Sequence, residues 1–406
     1  MTPISISFLP LTDCAVIAVA HEKGFAEEQG ICLDLIRDVS WATIRDRLIY
    51  GQAQAAHLLS PLAVAVSLGL TQHRARIAAP FKLSVNGNAI AFSRSFADAI
   101  GGDPIQRVLN PAATVQRIKE VLPHLPRRPV LGIVHRFSCH ALALRYWLGY
   151  AGIDPDSDVD LRVIPPPLLA GALASGEIDG FTAGEPWNST AVDNGHAEIV
   201  ATGSRIWESG PEKVLAMRED WAEANPDVVD RLLVALDRAA AWADQPANHA
   251  ELAGILARPA YIGRPAELIL RAFNGRLIVS PDGVEMDEGN FLLLHRHAAN
   301  FPWRSQALWI YSQLVRWGYL THSDEAETSA SAVFRSDIYR RALAVGTTPL
   351  PGASSKVEGS LPIEFPVASQ RGRLTLAPDR FFDGRVFDPT DIGEYLAGFQ
   401  PKPLLI

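Results

Sequence analysis

The sequence predicts an α/β protein of two or three domains, and three observations carry that prediction. The chain has 406 residues, against about 150 for an average domain. Strand-like and helix-like segments alternate through its first half, in the β-α-β-α order of α/β folds. Hydrophobic residues make up 48% and charged residues 20%, a balance that excludes a disordered chain and supplies a sizeable core.

Ile4 to Leu9 alternates apolar and polar residues and reads as a first strand. Ala15 to Gly24 reads as a helix ending at a glycine, and Ile31 to Ile36 as a second strand. Ser40 is a cap for a helix from Trp41 to Tyr50, with Gly51 beyond its end. Ala55 to Leu59 is a short buried strand, and Pro61 opens the next helix. A helix is predicted over Asn110 to Glu120, then a proline-rich loop from Leu122 to Pro129 and a strand from Val130 to Val134. Ser138 caps a helix from Cys139 to Tyr150. Val159 to Ile164 is a strand stopped by Pro165, Pro166 and Pro167; Leu168 to Ser175 is a helix and Ile178 to Ala183 a strand. Beyond about residue 215 the pattern is helical, with Val228, Val229, Leu232, Leu233 and Leu236 on one face. Leu308 to Trp317 and Ile338 to Val345 are further helices. Residues 346 to 375 read as loop, and the tail ends in a short helix.

The 37 Lys and Arg residues are outnumbered by 45 Asp and Glu, a formal charge of -8. That balance argues against a nucleic-acid coat, which needs a basic face, but leaves room for a small anion in a local positive pocket. No apolar run reaches the roughly 18 residues of a membrane span. The first 22 residues hold no Lys or Arg, unlike the basic start of a secretory leader. The expectation is a cytoplasmic protein whose fold begins at Met1, the alternative being a leader absent from the sequence. Cys14, Cys32 and Cys139 are scattered and lack metal or redox spacing, so they read as free buried thiols. His295 and His297 form a close pair but lack further ligands, and read as surface residues.

Nucleotide, phosphate-loop, serine-hydrolase and zinc-protease motifs are absent; no enzyme, cofactor or metal is expected. Three places read as anion contacts. Ser40-Trp41-Ala42-Thr43 opens a helix, whose free N–H groups suit an anion and where the Trp41 indole adds a donor or an apolar wall. The alternative is a core tryptophan beside an ordinary cap. Phe137-Ser138-Cys139-His140 is a second helix opening, with His140 as donor or as a satisfied buried histidine. Lys213 begins the apolar run Val214 to Met217, where a buried ammonium needs a counter-charge. It is an anion anchor, an exposed lysine, or the partner of Glu212 or another carboxylate.

A set of segments in fixed order adds to these local readings. Arg145-Tyr146-Trp147-Leu148, Gly152-Ile153-Asp154-Pro155, Gly176-Glu177-Ile178-Asp179-Gly180, Gly184-Glu185-Pro186-Trp187-Asn188 and Pro211-Glu212-Lys213 follow one another. Leu314-Val315-Arg316-Trp317-Gly318 and Phe381-Phe382-Asp383-Gly384 extend the set to the tail. Together they resemble the nitrate- and bicarbonate-binding proteins of bacterial ABC transporters over nearly the whole chain. The resemblance implies a type II periplasmic-binding-protein-like fold, two α/β lobes around a ligand cleft. Residues 1–95 would begin lobe I, 96–200 form lobe II, and 201–406 return to lobe I with a helical C-terminal extension.

The same resemblance implies a ligand set of Trp41, Asn88, His140 and Lys213, with Asn88 standing where nitrate binders usually carry Gln. Thr43, at the helix opening, and Glu185 join the candidates; Glu185 pairs with Lys213 or a cation, or faces the anion. Pro166 and Gly184 read as turn and hinge scaffold. Residues 98 to 129 look atypical for the family. Because the chain is similar to the leaderless cytoplasmic branch, the implied function is a nitrate/nitrite sensor. It would hold an ANTAR-type RNA-binding antiterminator and release it when the anion binds. The alternatives are the substrate-binding component of a nitrate or bicarbonate transporter and, last, an enzyme on the same scaffold.

Overall fold

The computed structural model describes residues 1–400 and 402–404. Two five-stranded sheets organise it. The first is built from β1 (Thr2–Phe8), β2 (Ile31–Arg37), β3 (Ala55–Leu59) and β4 (Ile77–Lys82). After the two-residue β5 (Val85–Asn86), the second sheet takes β6 (Asn88–Ser93), β7 (Val130–Ile133), β8 (Asp160–Val163), β9 (Gly180–Gly184) and β10 (Ala197–Thr202). The chain then returns to the first sheet as β11 (Lys213–Arg218). The strand orders are β2-β1-β3-β11-β4 and β10-β6-β9-β7-β8. The fold is the α/β, periplasmic-binding-protein-like arrangement expected, with helices covering both sheets.

Each sheet mixes parallel pairs with antiparallel strands that arrive from the other lobe. In the first, β1 runs parallel to β2 and β3, while β11 is antiparallel to β3 and pairs Lys213 with Leu59. In the second, β6 is antiparallel to β9 and pairs Asn88 with Gly184. The starts of β6 and β11 therefore lie beside the carboxyl ends of parallel strands, the edge where α/β sheets bind ligands. Because β6 belongs to the second sheet, the chain first crosses between lobes before Asn88 rather than near residue 95.

Most elements predicted from local signals are present, and the helices Trp41–Ile49 and Cys139–Tyr150 begin directly after their capping serines. Ser138 Oγ accepts the Ala141 N–H at 3.0 Å. Ser138→Ala is expected to cost about 1 kcal/mol of stability in chemical denaturation, the usual worth of an N-cap. The helical reading beyond residue 215 is corrected by β11, whose Val214 to Met217 is buried throughout. A strand covered on both faces has no alternation to read. The loop reading of 346 to 375 is corrected by four short strands, Leu350–Pro351, Phe365–Val367, Ser369–Arg371 and Leu374–Leu376. Pro166 and Pro167 form the first turn of the helix Pro166–Ala174 instead of only ending a strand. Cys32 is exposed, not buried, because it alternates outward on the edge strand β2. His297 sits in a short 3-10 turn, bonded through Nδ1 to the Thr375 carbonyl. Among the described residues no helix is long and apolar enough to cross a membrane, and no side-chain cluster suits a metal ion.

Two packing features tie the lobes to their surroundings. The stretch around 98 to 129 is fastened by Arg107, buried beneath the short helix Pro104–Leu109. Its guanidinium pairs with Glu198 on β10 and donates to the carbonyls of Ala97, Gly101 and Gly102 at 3.3, 3.1 and 3.1 Å. At the far end of the helix Cys139–Tyr150, Tyr146 packs among Trp309, Phe381 and Phe382 and donates its hydroxyl to Asp383 at 2.8 Å. There Gly149 makes room for lobe I: a Cβ on it would come within 2.9 Å of both Arg316 Nη2 and Trp317 Cη2.

Candidate functional site

Seven chain segments converge at the shared edge of the two sheets. From lobe I come the 3-10 turn Thr12–Cys14 after β1, the start of the helix Trp41–Ile49 after β2, the end of β3, and the start of β11. Lobe II contributes the start of β6 with the end of β9, and the start of the helix Cys139–Tyr150 after β7. Their side chains Asp13, Trp41, His140, Glu212 and Lys213 are each no more than 2% exposed.

Lys213 is the centre. Its Nζ lies 2.7 Å from Asp13 Oδ2 and 2.5 Å from Glu212 Oε2, and 5.9 Å from the centroid of the Trp41 ring. Glu212 Oε1 accepts the Asn88 amide at 2.6 Å and stands 3.8 Å from His140 Nδ1. His57, under the edge of Trp41 at 5.5 Å between centroids, accepts the Leu9 N–H at Nδ1. Its Nε2 is 2.9 Å from Asp13 Oδ1, close but outside hydrogen-bond alignment. Gly184 closes the far side: a Cβ there would meet Leu11 Cδ2 at 3.2 Å and Lys213 Nζ at 3.3 Å. Its missing side chain is what lets the ammonium reach the lobe II backbone.

The electrostatics follow from burial. Desolvation alone would raise the Asp13 carboxyl, but Lys213 and His57 hold it well below the usual carboxylate range. Asp13 and Glu212 together overcome the desolvation of Lys213 and hold its ammonium firmly charged. Glu212 is pushed up to about 7 by burial, which Lys213 only partly offsets. Burial, with Lys213 next to it, drives His140 well below its ordinary value despite the opposing pull of Asp13, so its imidazole is neutral near pH 7.

Five polar atoms in this buried shell lack a hydrogen-bond partner among the described residues: Trp41 Nε1, both ring nitrogens of His140, and the facing atoms His57 Nε2 and Asp13 Oδ1. Buried polar groups are almost always paired, and each exception asks for a reason. The last two lie 2.9 Å apart and face each other. The Trp41 indole N–H and the one N–H of the neutral His140 imidazole are left as free donors near a fixed cation, an arrangement that suits a small anion with several acceptor oxygens.

The sequence candidates divide accordingly. Trp41, Asn88, His140 and Lys213 come together. Lys213 does so as the buried partner of two carboxylates, one of the readings open for it, and is not an exposed lysine. Asn88 serves Glu212 instead of pointing a free amide at the ammonium, and it fits because Gly203 has no Cβ, which would fall 2.4 Å from its Oδ1. Thr43 is taken up by the cap: its hydroxyl lies 2.9 Å from Ser40 Oγ and its N–H donates to the same atom. Glu185 turns away from Lys213. Its Oε2 accepts the Ser189 N–H at 3.1 Å, and burial lifts its carboxyl to about 7. Pro166 opens its helix and Gly184 borders the site. Asp13 and His57 were not legible as site residues. Asp13 sits in Leu11-Thr12-Asp13-Cys14, which carries no pattern, and only the strand order brings it to Lys213. A cavity of about 30 Å³ adjoins Asn88 and Glu212, walled by Cys139, Tyr146, Trp207 and Phe381. That is room for water, and its walls do not include Trp41, His140 or Lys213.

Comparison with known proteins agrees with this architecture. The model of the NMT1-like family matches residues 1–257. The nitrate/nitrite binding protein NrtA of Nostoc sp. is 30% identical over 408 residues, covering 99% of this chain and 86% of that protein. The nitrate import ATP-binding protein NrtC of Synechocystis sp. is 32% identical over 98% of this chain, which spans only 55% of that longer protein. The crystal structure of the periplasmic nitrate-binding protein NrtA from Synechocystis superposes with a TM-score of 0.86 at 25% identity, covering 98% of this chain and 99% of that one. On this evidence the chain belongs to the NMT1-like family and is a relative of the NrtA proteins.

Proposed function

We propose that this protein binds nitrate or nitrite between its lobes, with Lys213, His140 and Trp41 as the anion's contacts. The observation that carries the reading is the set of unpartnered buried donors around the Lys213 ammonium. The NrtA relatives, nitrate/nitrite binding proteins, support the choice of anion. Because the groups involved are almost wholly buried, the ligand enters and leaves by relative movement of the lobes. Calorimetry is expected to give one nitrate or nitrite site per chain. Bicarbonate binding with neither nitrogen anion bound at millimolar levels would replace the nitrogen reading with a carbon one.

The finer reading is a cytoplasmic sensor that releases an ANTAR-type antiterminator when the anion binds. Ligand favours the closed lobes, and the partner is released if it prefers another lobe angle. A tenfold change in partner affinity needs about 1.4 kcal/mol of coupling. The second reading, the substrate-binding component of an ABC transporter, is favoured by the names of the NrtA and NrtC relatives. The two separate in one measurement: affinity for a purified ANTAR-domain protein with and without nitrate. A nitrate-dependent loss of binding marks the sensor, and no association in either condition marks the transport component.

A further inference from the structure

The charge census of the site does not close for a simple anion. The groups facing Glu212 come from every element packed on it. The turn Thr12–Cys14 supplies Asp13, with His57 of β3 behind it; β11 supplies Lys213; β6 supplies the Asn88 amide. The helix start supplies His140 and Cys139. The Cys139 thiol donates to the Glu212 carbonyl at 3.4 Å and stays protonated, since burial raises it well above its ordinary value. His140 is neutral, and Glu185 is turned to Ser189. One ammonium therefore faces two carboxylates before any ligand arrives. Adding nitrate would leave two uncompensated negative charges in a dry site, which costs far more than neutralising one of them.

Resting on the anion-binding reading above, we propose that Glu212 selects the anion by its own protonation. Nitrate and nitrite only accept hydrogen bonds, so each enters together with one proton taken from solvent onto the Glu212 carboxylate. Bicarbonate meets the same net charge, but its own O–H can be shared with the Glu212 carboxylate, which offsets part of that cost, so it depends less on a proton from solvent than nitrate does. Asp13 is the poorer proton acceptor, because Lys213 and His57 hold it ionised, whereas Glu212 lies near 7 already. A bound anion raises Glu212 further, since it adds a like charge. The sign follows: nitrate affinity tightens as pH falls, by about tenfold per pH unit while Glu212 is ionised in the free protein, and levels off once it is protonated.

The test is nitrate calorimetry on the intact chain at pH 8, in buffers of different ionisation enthalpy, with sealed bicarbonate titrations alongside. The expected result is uptake of about one proton per nitrate and distinctly less per bicarbonate. Glu212→Gln, a neutral side chain of the same shape, is expected to bind nitrate without proton uptake or pH dependence, at least as tightly at pH 8 as the wild type does at pH 6. Its bicarbonate affinity is expected to fall at least tenfold. Measurable nitrate binding with no proton uptake, or a Glu212→Gln variant that keeps the wild-type pH slope, overturns the inference and leaves the anion site standing. If the variant does not fold, the wild-type proton count decides alone. Absence of binding by either anion overturns the site reading itself, and this inference with it.

Discussion

Lys213→Ala is expected to lower folding stability by about 3–5 kcal/mol, as removing one member of a buried ion pair does. It is also expected to weaken nitrate binding by about 2 kcal/mol or more, roughly thirtyfold. The two effects share one cause. Among the described residues Lys213 is the only ammonium bonded to Asp13 and Glu212, both of which are buried. Truncation leaves two carboxylates facing each other in low dielectric and removes the charge that holds the anion. Chemical denaturation and calorimetry read the two losses separately. Adding Asp13→Asn to Lys213→Ala is expected to recover much of the stability while leaving binding weak. A single variant as stable as the wild type, with nitrate affinity unchanged, would show that the ammonium is not the keystone described above.

Arg107→Ala is expected to destabilise lobe II by a similar amount, about 3–5 kcal/mol, for a different reason. Truncation strands the Glu198 carboxylate on β10 and three carbonyl acceptors that the guanidinium satisfied. The doubly apolar variant Arg107→Met with Glu198→Leu is expected to regain most of the loss, since it strands no charge. Denaturation midpoints of the three proteins test this. Equal stability of wild type and Arg107→Ala would mean that the stretch around 98 to 129 is held by its apolar contacts alone. Binding is expected to change little in the folded fraction, because Arg107 contacts no residue of the Lys213 cluster.

What the sequence disclosed depended on how local each cause was. Both helix openings were legible because a serine cap and its helix lie within four residues of each other; Ser40 and Ser138 stand where expected. The four residues carried over from the family resemblance, Trp41, Asn88, His140 and Lys213, meet at one edge of the two sheets. Asp13 was invisible because its role depends on β1 and β11 flanking β3, a non-local fact. Strand β11 was missed because burial on both faces erases alternation. Thr43 was a candidate for its place at the helix opening and Glu185 for the segment the family resemblance brings to the cleft, but each is bonded within its own turn. Such local bonding competes with any ligand for short polar side chains.

The contact at Gly149 gives the His140 helix a fulcrum. Its last turn is held against Arg316 and Trp317, while its first turn carries the imidazole. Nine residues of helix separate the two, a lever arm of about 13 Å. In the proposed lobe movement the pinned end stays and the free end sweeps, so a modest rotation withdraws His140 without unseating the aromatic residues behind it. A methyl group at position 149 would press on Arg316 and Trp317 themselves and loosen the grip at the pivot, and is expected to alter how fast the anion is caught and let go.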